Sequence, residues 1–103
     1  MAGDGEMLCE LITLRVRAEV LEQDLSEAIH LLYSSLLWIA QFPESEFRQR
    51  TLAFQRAKIF QLPQGSRLGQ ELINLDKQFG NRLETHGVNL ERWVYEPRGR
   101  RHG

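Results

Sequence analysis

The chain has 103 residues and only one cysteine, Cys9, so no internal disulfide can form. Its three histidines, His30, His86 and His102, lie far apart, and no set of Cys and His residues has the spacing of a zinc site. Lack of disulfides is typical of proteins in reducing compartments. We therefore expect a cytoplasmic protein that needs no metal and no cofactor.

Long apolar runs are also missing. The most apolar segment, from Ala28 to Ala40, is interrupted by His30, Ser34 and Ser35, whereas crossing a bilayer takes roughly 20 apolar residues. The first ten residues are small and acidic, the opposite of the basic start that a signal peptide needs. We expect neither export nor a membrane span.

Motifs that carry catalysis are not found either. The sequence has no glycine-rich phosphate loop and no serine nucleophile elbow. Glu27 and His30 match once the Glu-x-x-His pattern of di-metal helical bundles, but such a site draws ligands from several helices, and the pattern is not repeated. We expect no enzyme, and we assign no catalytic, cofactor-binding or metal-ligating residue.

What the chain does contain is a heptad pattern near its start. Apolar or small residues follow a 4-3 spacing at Met7, Leu11, Leu14, Ala18, Leu21, Leu25, Ala28, Leu32, Ser35, Ile39 and Phe42. No Gly or Pro interrupts the stretch from Leu8 to Phe42. The pattern predicts one continuous helix roughly 50 Å long, longer than a globule of this size is wide.

Two shorter helices are predicted after it. Pro43 suits the first turn of a helix that runs to about Gln61, and a third helix runs from about Arg67 to Thr85 and stops at Gly87. Residues 88–95 form a short apolar turn over one end. We predict an all-α fold, a three-helix bundle with a long N-terminal helix and a short C-terminal turn. Residues 1–96 form one domain, and residues 97–103 form a flexible, disordered basic tail.

Charge is segregated along the chain. Residues 1–46 carry a net charge of -7 and residues 47–67 a net charge of +5. We favour packing of the basic second helix against the acidic first helix, because blocks of opposite sign attract side by side. The alternative is a nucleic-acid-binding accessory protein, in which basic side chains contact phosphates. Its candidate residues are Arg48, Arg56, Arg98, Arg100 and Arg101.

The heptad seam carries the preferred functional hypothesis. If the second and third helices pack along the C-terminal half of the first, its N-terminal half projects with an uncovered apolar edge. The residues expected to bind a partner are Leu11, Leu14, Ala18, Leu21 and Leu25. We expect a non-catalytic protein-protein interaction module, such as a regulatory, adaptor or chaperone-like subunit. Its partner is another protein or a second copy of the chain, paired as in a coiled-coil dimer.

Overall fold

The computed structural model describes residues 4–95, and within this range the chain is all-α, as predicted, with no strand. The helices are α1 (Asp4–Leu21), α2 (Leu25–Ala40), α3 (Glu46–Gln61), α4 (Gly65–Gln78), α5 (Arg82–Thr85) and α6 (Leu90–Tyr95). None of these helices is both long and apolar enough to cross a membrane. The predicted basic tail, residues 97–103, lies outside the described range.

The prediction of one continuous helix from Leu8 to Phe42 is wrong. The chain leaves the helix after Leu21 and starts α2 at Leu25. Gln23 takes a left-handed conformation with φ of 62°, its N–H donates to the carbonyl of Val20, and the N–H of Asp24 donates to the carbonyl of Glu19. These two bonds form a Schellman motif, which ends a helix by satisfying carbonyls of its last turn.

Asp24 also starts the next helix. Its side chain accepts a hydrogen bond from the backbone N–H of Glu27 at 3.1 Å, so Asp24 is the N-cap of α2. The polypeptide thereby turns back within three residues, and α1 packs along α2 instead of extending its axis. The described residues extend over 35 × 33 × 30 Å, so α1 lies against the rest of the domain and does not project from it.

The predicted third helix is also divided. Gly80 has φ of 78° and ends α4, with the N–H of Asn81 donating to the carbonyl of Asp76 in a second Schellman motif. α5 follows as a single turn, and Gly87, with φ of 92°, ends it where the sequence predicts the stop. The three-helix layout is therefore replaced by a bundle in which two of the three predicted helices are each divided in two.

The core is built around α2, which contacts α1, α3, α4 and α5. Leu32, Leu36 and Ile39 of α2 are fully buried, in keeping with the apolar second half of the heptad pattern. The other helices and two of their connections bury aliphatic side chains against them: Val16, Val20, Ile59, Leu62, Leu68, Leu72, Leu83, Val88 and Leu90. Most of this burial comes from Leu, Ile and Val, each of which stabilises the fold by roughly 1.5 to 3 kcal/mol.

Candidate protein-binding face

α1 has two apolar faces on opposite sides. The inner face consists of Gly5, Cys9, Ile12, Val16 and Val20, which are buried or half-buried against α2 and α3. The residues Met7, Leu11, Leu14, Ala18 and Leu21 form a second stripe, which we call the outer seam. At about 100° per residue, the mean directions of these two sets are about 180° apart around the helix. A helix that is apolar on both sides is expected to be covered on both sides.

The outer seam is uncovered. Met7, Leu11 and Leu14 are each about 60% exposed, and Leu21 is 74% exposed. Ala18 is exposed as well and leaves a shallow step among larger side chains. Contiguous exposed apolar strips of a few hundred Å² are often interaction sites.

Charged residues line both flanks of the outer seam. On one flank, Arg15 Nε lies 2.9 Å from Glu19 Oε2 within the same helix. On the other flank are Glu10 and Arg17, seven residues apart. The carboxylate of Glu10 is 3.7 Å from Lys58 Nζ of α3 and remains 59% exposed. An apolar strip with a charged border is the usual layout of a protein interface, whose rim is polar.

The inner face meets an unusually polar side of α3. Thr51 and Gln55 of α3 are buried there, and Cys9 Sγ lies 3.8 Å from the carbonyl oxygen of Thr51. Gly5 permits this approach, because a Cβ at that position would overlap the Thr51 hydroxyl. The side-chain amide of Gln55 is fully buried without a hydrogen-bond partner among the described residues.

Cys9 itself is a passive buried thiol. Burial, with a smaller effect of the nearby Glu6 carboxylate, raises the pKa of the Cys9 thiol to about 11. A thiol reacts through its thiolate, so Cys9 is protonated and unreactive at neutral pH. This agrees with the sequence, in which Cys9 has no basic neighbour that would activate it.

The structure separates Leu25 from the other predicted partner-binding residues. Leu11, Leu14, Ala18 and Leu21 share the exposed seam of α1. Leu25 begins α2, beyond the turn, and is half-buried against the core. The outer seam therefore ends at Leu21, and Met7 extends it at the other end.

Arg48, one of the candidate phosphate-binding residues, is buried in the interior. Its Nε donates to the carbonyl of Ala40, the last residue of α2, and its Nη2 donates to the carbonyl of His86 just after α5. Its Nη1 pairs with Glu44 Oε1 at 2.6 Å. Arg48 thus satisfies carbonyls that the ends of two helices leave without partners. This arrangement does not favour contact with a nucleic acid.

Arg56 has a similar role at the end of α6. Its Nη2 donates to the carbonyl of Trp93 at 3.0 Å, and its guanidinium lies 5.9 Å from the centre of the Trp93 ring. Trp93 is half-buried beneath it. A groove of about 530 Å³ runs beside these residues. Its arginines are held by carbonyls of the protein itself. The remaining candidates, Arg98, Arg100 and Arg101, lie outside the described residues.

α3 packs against α1 and α2, as predicted for the basic second helix and the acidic first helix, but few ion pairs join them. Within residues 4–95, Lys58 to Glu10 is the one ion pair that joins α3 to α1. The other basic side chains of α3 face helix ends or solvent. The positive charge of these side chains is evident from the sequence. The carbonyl groups to which Arg48 and Arg56 donate could not be predicted from it.

One exposed aromatic cluster was not predicted as a site. Trp38 is 50% exposed and its ring centre lies 4.9 Å from that of Phe42, which stacks in turn on Phe47 at 5.6 Å. Phe42 and Phe47 flank Pro43 at the turn between α2 and α3. An aromatic residue on each side of a helix-ending proline is the sequence signal that could have located this cluster.

Across residues 4–95, no three His, Cys, Asp or Glu side chains come together as a metal site would require. His30 is exposed, and its Nδ1 lies 2.8 Å from the carbonyl oxygen of Ser26 in the preceding turn. Comparison with known proteins finds no matching family, no matching curated protein and no matching solved structure.

Proposed function

We propose that this chain is a non-catalytic protein-protein interaction module that acts in the cytoplasm by binding an apolar helix along the outer seam of α1. The observation that carries the proposal is the exposure of Met7, Leu11, Leu14 and Leu21 on a helix whose opposite face packs against α2 and α3. An amphipathic helix laid along such a stripe buries both apolar surfaces at once. A regulatory, adaptor or chaperone-like subunit works in this way, because it needs a docking face and no reaction centre.

The size of the seam supports this role. Four side chains that are three-fifths to three-quarters exposed present roughly 500 Å² of apolar surface, which is near the upper end for the largest patch on a monomer. Covering that area would contribute roughly 12 kcal/mol before the entropy of association is subtracted. The seam is thus large enough to drive specific binding.

The proposal is tested by placing charge on the seam. The double variant Leu14→Glu with Leu21→Glu keeps the fold, since both side chains are exposed, but adds two carboxylates to the binding face. We expect it to lose at least 100-fold in affinity for the partner, measured by sedimentation or by binding to the protein that co-purifies from the native host. Unchanged mass in solution together with unchanged partner binding would contradict the proposal.

The matched control adds the same charge elsewhere. Gln61, the last residue of α3, and Ser66, in the first turn of α4, are both exposed and lie outside α1. We expect the double variant Gln61→Glu with Ser66→Glu to bind as the wild type does. Equal loss in this control would mean that net charge, and not the outer seam, governs binding.

A further inference from the structure

We infer that the occupant of the outer seam is a second copy of this chain, bound antiparallel, with Leu11 of each copy packed against Leu14 of the other. The inference rests on the proposed function and names the partner of the same face. It is carried by three properties of α1: the sizes of the seam residues, the positions of the flanking charges and the area that two seams bury together.

The seam is self-complementary in size when two copies run in opposite directions. In an antiparallel pair of heptad helices, each layer joins an a position of one helix to a d position of the other. With Leu11 against Leu14 at the centre, Met7 of each copy meets Ala18 of the other. The longest side chain of the seam thus fills the space that its smallest side chain leaves. A large residue opposite a small one is how facing helices interdigitate.

The flanking charges match the same alignment. Glu10 and Arg17 occupy equivalent positions one heptad apart, and in the antiparallel pair Glu10 of each copy faces Arg17 of the other. Arg17 has no ion pair within residues 4–95, and Glu10 has only the long contact to Lys58. Two intermolecular ion pairs therefore form without breaking a close one inside either copy.

The parallel alignment fits the sizes of the seam residues less well. It would place Met7 opposite Met7 and Ala18 opposite Ala18, so the two largest side chains would crowd one layer and the two smallest would leave a gap in another. It would also need Arg15 to face Glu10, although Arg15 is held by Glu19 at 2.9 Å. Antiparallel helices additionally have opposed dipoles, which attract each other.

Two facing seams bury an area that suits a modest dimer. The seam residues that this alignment pairs, Met7, Leu11, Leu14 and Ala18, give roughly 400 Å² from each copy and about 800 Å² in total, which is in the range of weak, transient interfaces. We expect a dissociation constant on the order of micromolar, because interfaces of this size bind weakly once association entropy is subtracted.

The test is a charge exchange in the full chain, followed by sedimentation over roughly 1 to 200 µM so that the expected constant is bracketed. Glu10→Arg alone and Arg17→Glu alone each turn two attractive pairs into two repulsive ones, and we expect each to weaken the dimer about tenfold. The double variant restores opposite charges across the interface, and we expect its dissociation constant to return to within about threefold of the wild type. Far-UV circular dichroism checks that each variant is folded.

Glu22→Arg is the control that reports orientation. It makes the same change of charge on the flank of the seam, but in the antiparallel pair Glu22 lies beyond the first turn of the second copy's α1 and should not affect the dimer. In the parallel pair it would face Arg17 and weaken binding. Weakening by Glu22→Arg, or failure of the double variant to recover, would overturn the antiparallel dimer.

The outcome also separates this inference from the proposed function. A wild-type chain that stays monomeric up to about 200 µM would overturn the second copy as occupant. If Leu14→Glu with Leu21→Glu then abolishes binding to a different co-purified protein, the proposed function stands without the dimer. If that variant changes nothing in a monomeric chain, both are overturned.

Discussion

The hydrogen bond between Tyr33 and Asp76 gives the sharpest prediction about stability. Both residues are buried, and the Tyr33 hydroxyl donates to Asp76 Oδ1 at 2.7 Å. The same carboxylate accepts from the backbone N–H groups of Leu83 and Glu84, so it joins α2, α4 and the start of α5. Burial and the neighbouring Asp76 raise the pKa of Tyr33, so the hydroxyl stays protonated and donates throughout the neutral range.

Tyr33→Phe removes this donor and leaves the ring in place. A hydrogen bond to a charged group contributes about 1.5 to 3 kcal/mol, and the carboxylate keeps its two backbone donors, so we expect the free energy of unfolding to fall by about 2 kcal/mol. Urea unfolding followed by circular dichroism measures this loss, and a chain of this size should melt roughly 8 to 16 °C lower.

A double-mutant cycle isolates the bond from other effects. Asp76→Ala should cost about 4 kcal/mol, because it leaves the Tyr33 hydroxyl and the Leu83 N–H buried without an acceptor. In the double variant the hydroxyl is gone as well, so the combined loss should be about 2 kcal/mol smaller than the sum of the single losses. A Tyr33→Phe loss below about 0.5 kcal/mol, or a cycle that is additive, would refute the reasoning.

Three further predictions concern α1 and its contacts. Gln23→Gly should raise the free energy of unfolding by about 0.5 to 1 kcal/mol in thermal melts, since Gln23 has φ of 62°; a lower melting temperature would contradict it. Gln55→Met should raise the urea midpoint, by about 1 kcal/mol of stability, because it removes a buried amide without a partner; a decrease would show that the amide is bonded. The Cys9 thiol has a folded-state pKa of about 11 against 9.0 when unfolded, so the folded state keeps its proton more firmly. The stability that depends on this protonated thiol is therefore complete below pH 9 and is lost as the pH rises towards 11. When the pH rises from 8 to 11, the free energy of unfolding of Cys9→Ala should therefore fall by about 2 to 3 kcal/mol less than that of the wild type. Equal falls in urea unfolding would contradict the raised pKa of Cys9.

The turn between α1 and α2 is a helix end that the heptad pattern does not predict. The pattern continues through Leu21 and Leu25 without Gly or Pro, so periodicity alone predicts an unbroken helix. A local signal was nevertheless present, because Asp24 followed by Glu27 has the spacing of an N-cap and its third helical residue. Gln23 did not indicate a helix end, because residues other than glycine seldom adopt the left-handed conformation that it has here.

The residues of the outer seam were largely predictable from the sequence, but the packing around them was not. Heptad spacing selected Leu11, Leu14, Ala18 and Leu21, and these four do share an exposed face. The same spacing could not show that α1 would be anchored by the opposite face, through Cys9, Val16 and Val20. That choice depends on where α2 and α3 lie, which is a property of the tertiary structure.

The interior position of Arg48 was beyond sequence reasoning. A basic residue on an amphipathic helix is ordinarily solvated, and its charge indicates affinity for acids or phosphates. Here the ends of α2 and α5 converge on one point, and their carbonyl oxygens need donors that only a long guanidinium side chain supplies. No local sequence pattern predicts that these two helix ends meet.

The central claim, that the outer seam is exposed in one copy and covered by protein when bound, is tested most directly by thiol labelling of Leu14→Cys in a Cys9→Ala chain. We predict that the labelling rate of Cys introduced at position 14 falls as unlabelled wild-type chain is added over roughly 1 to 200 µM, while the rate for Ser66→Cys in the same background stays constant. A rate at position 14 that does not change with added wild-type chain would contradict a second copy of the chain as the occupant of the outer seam.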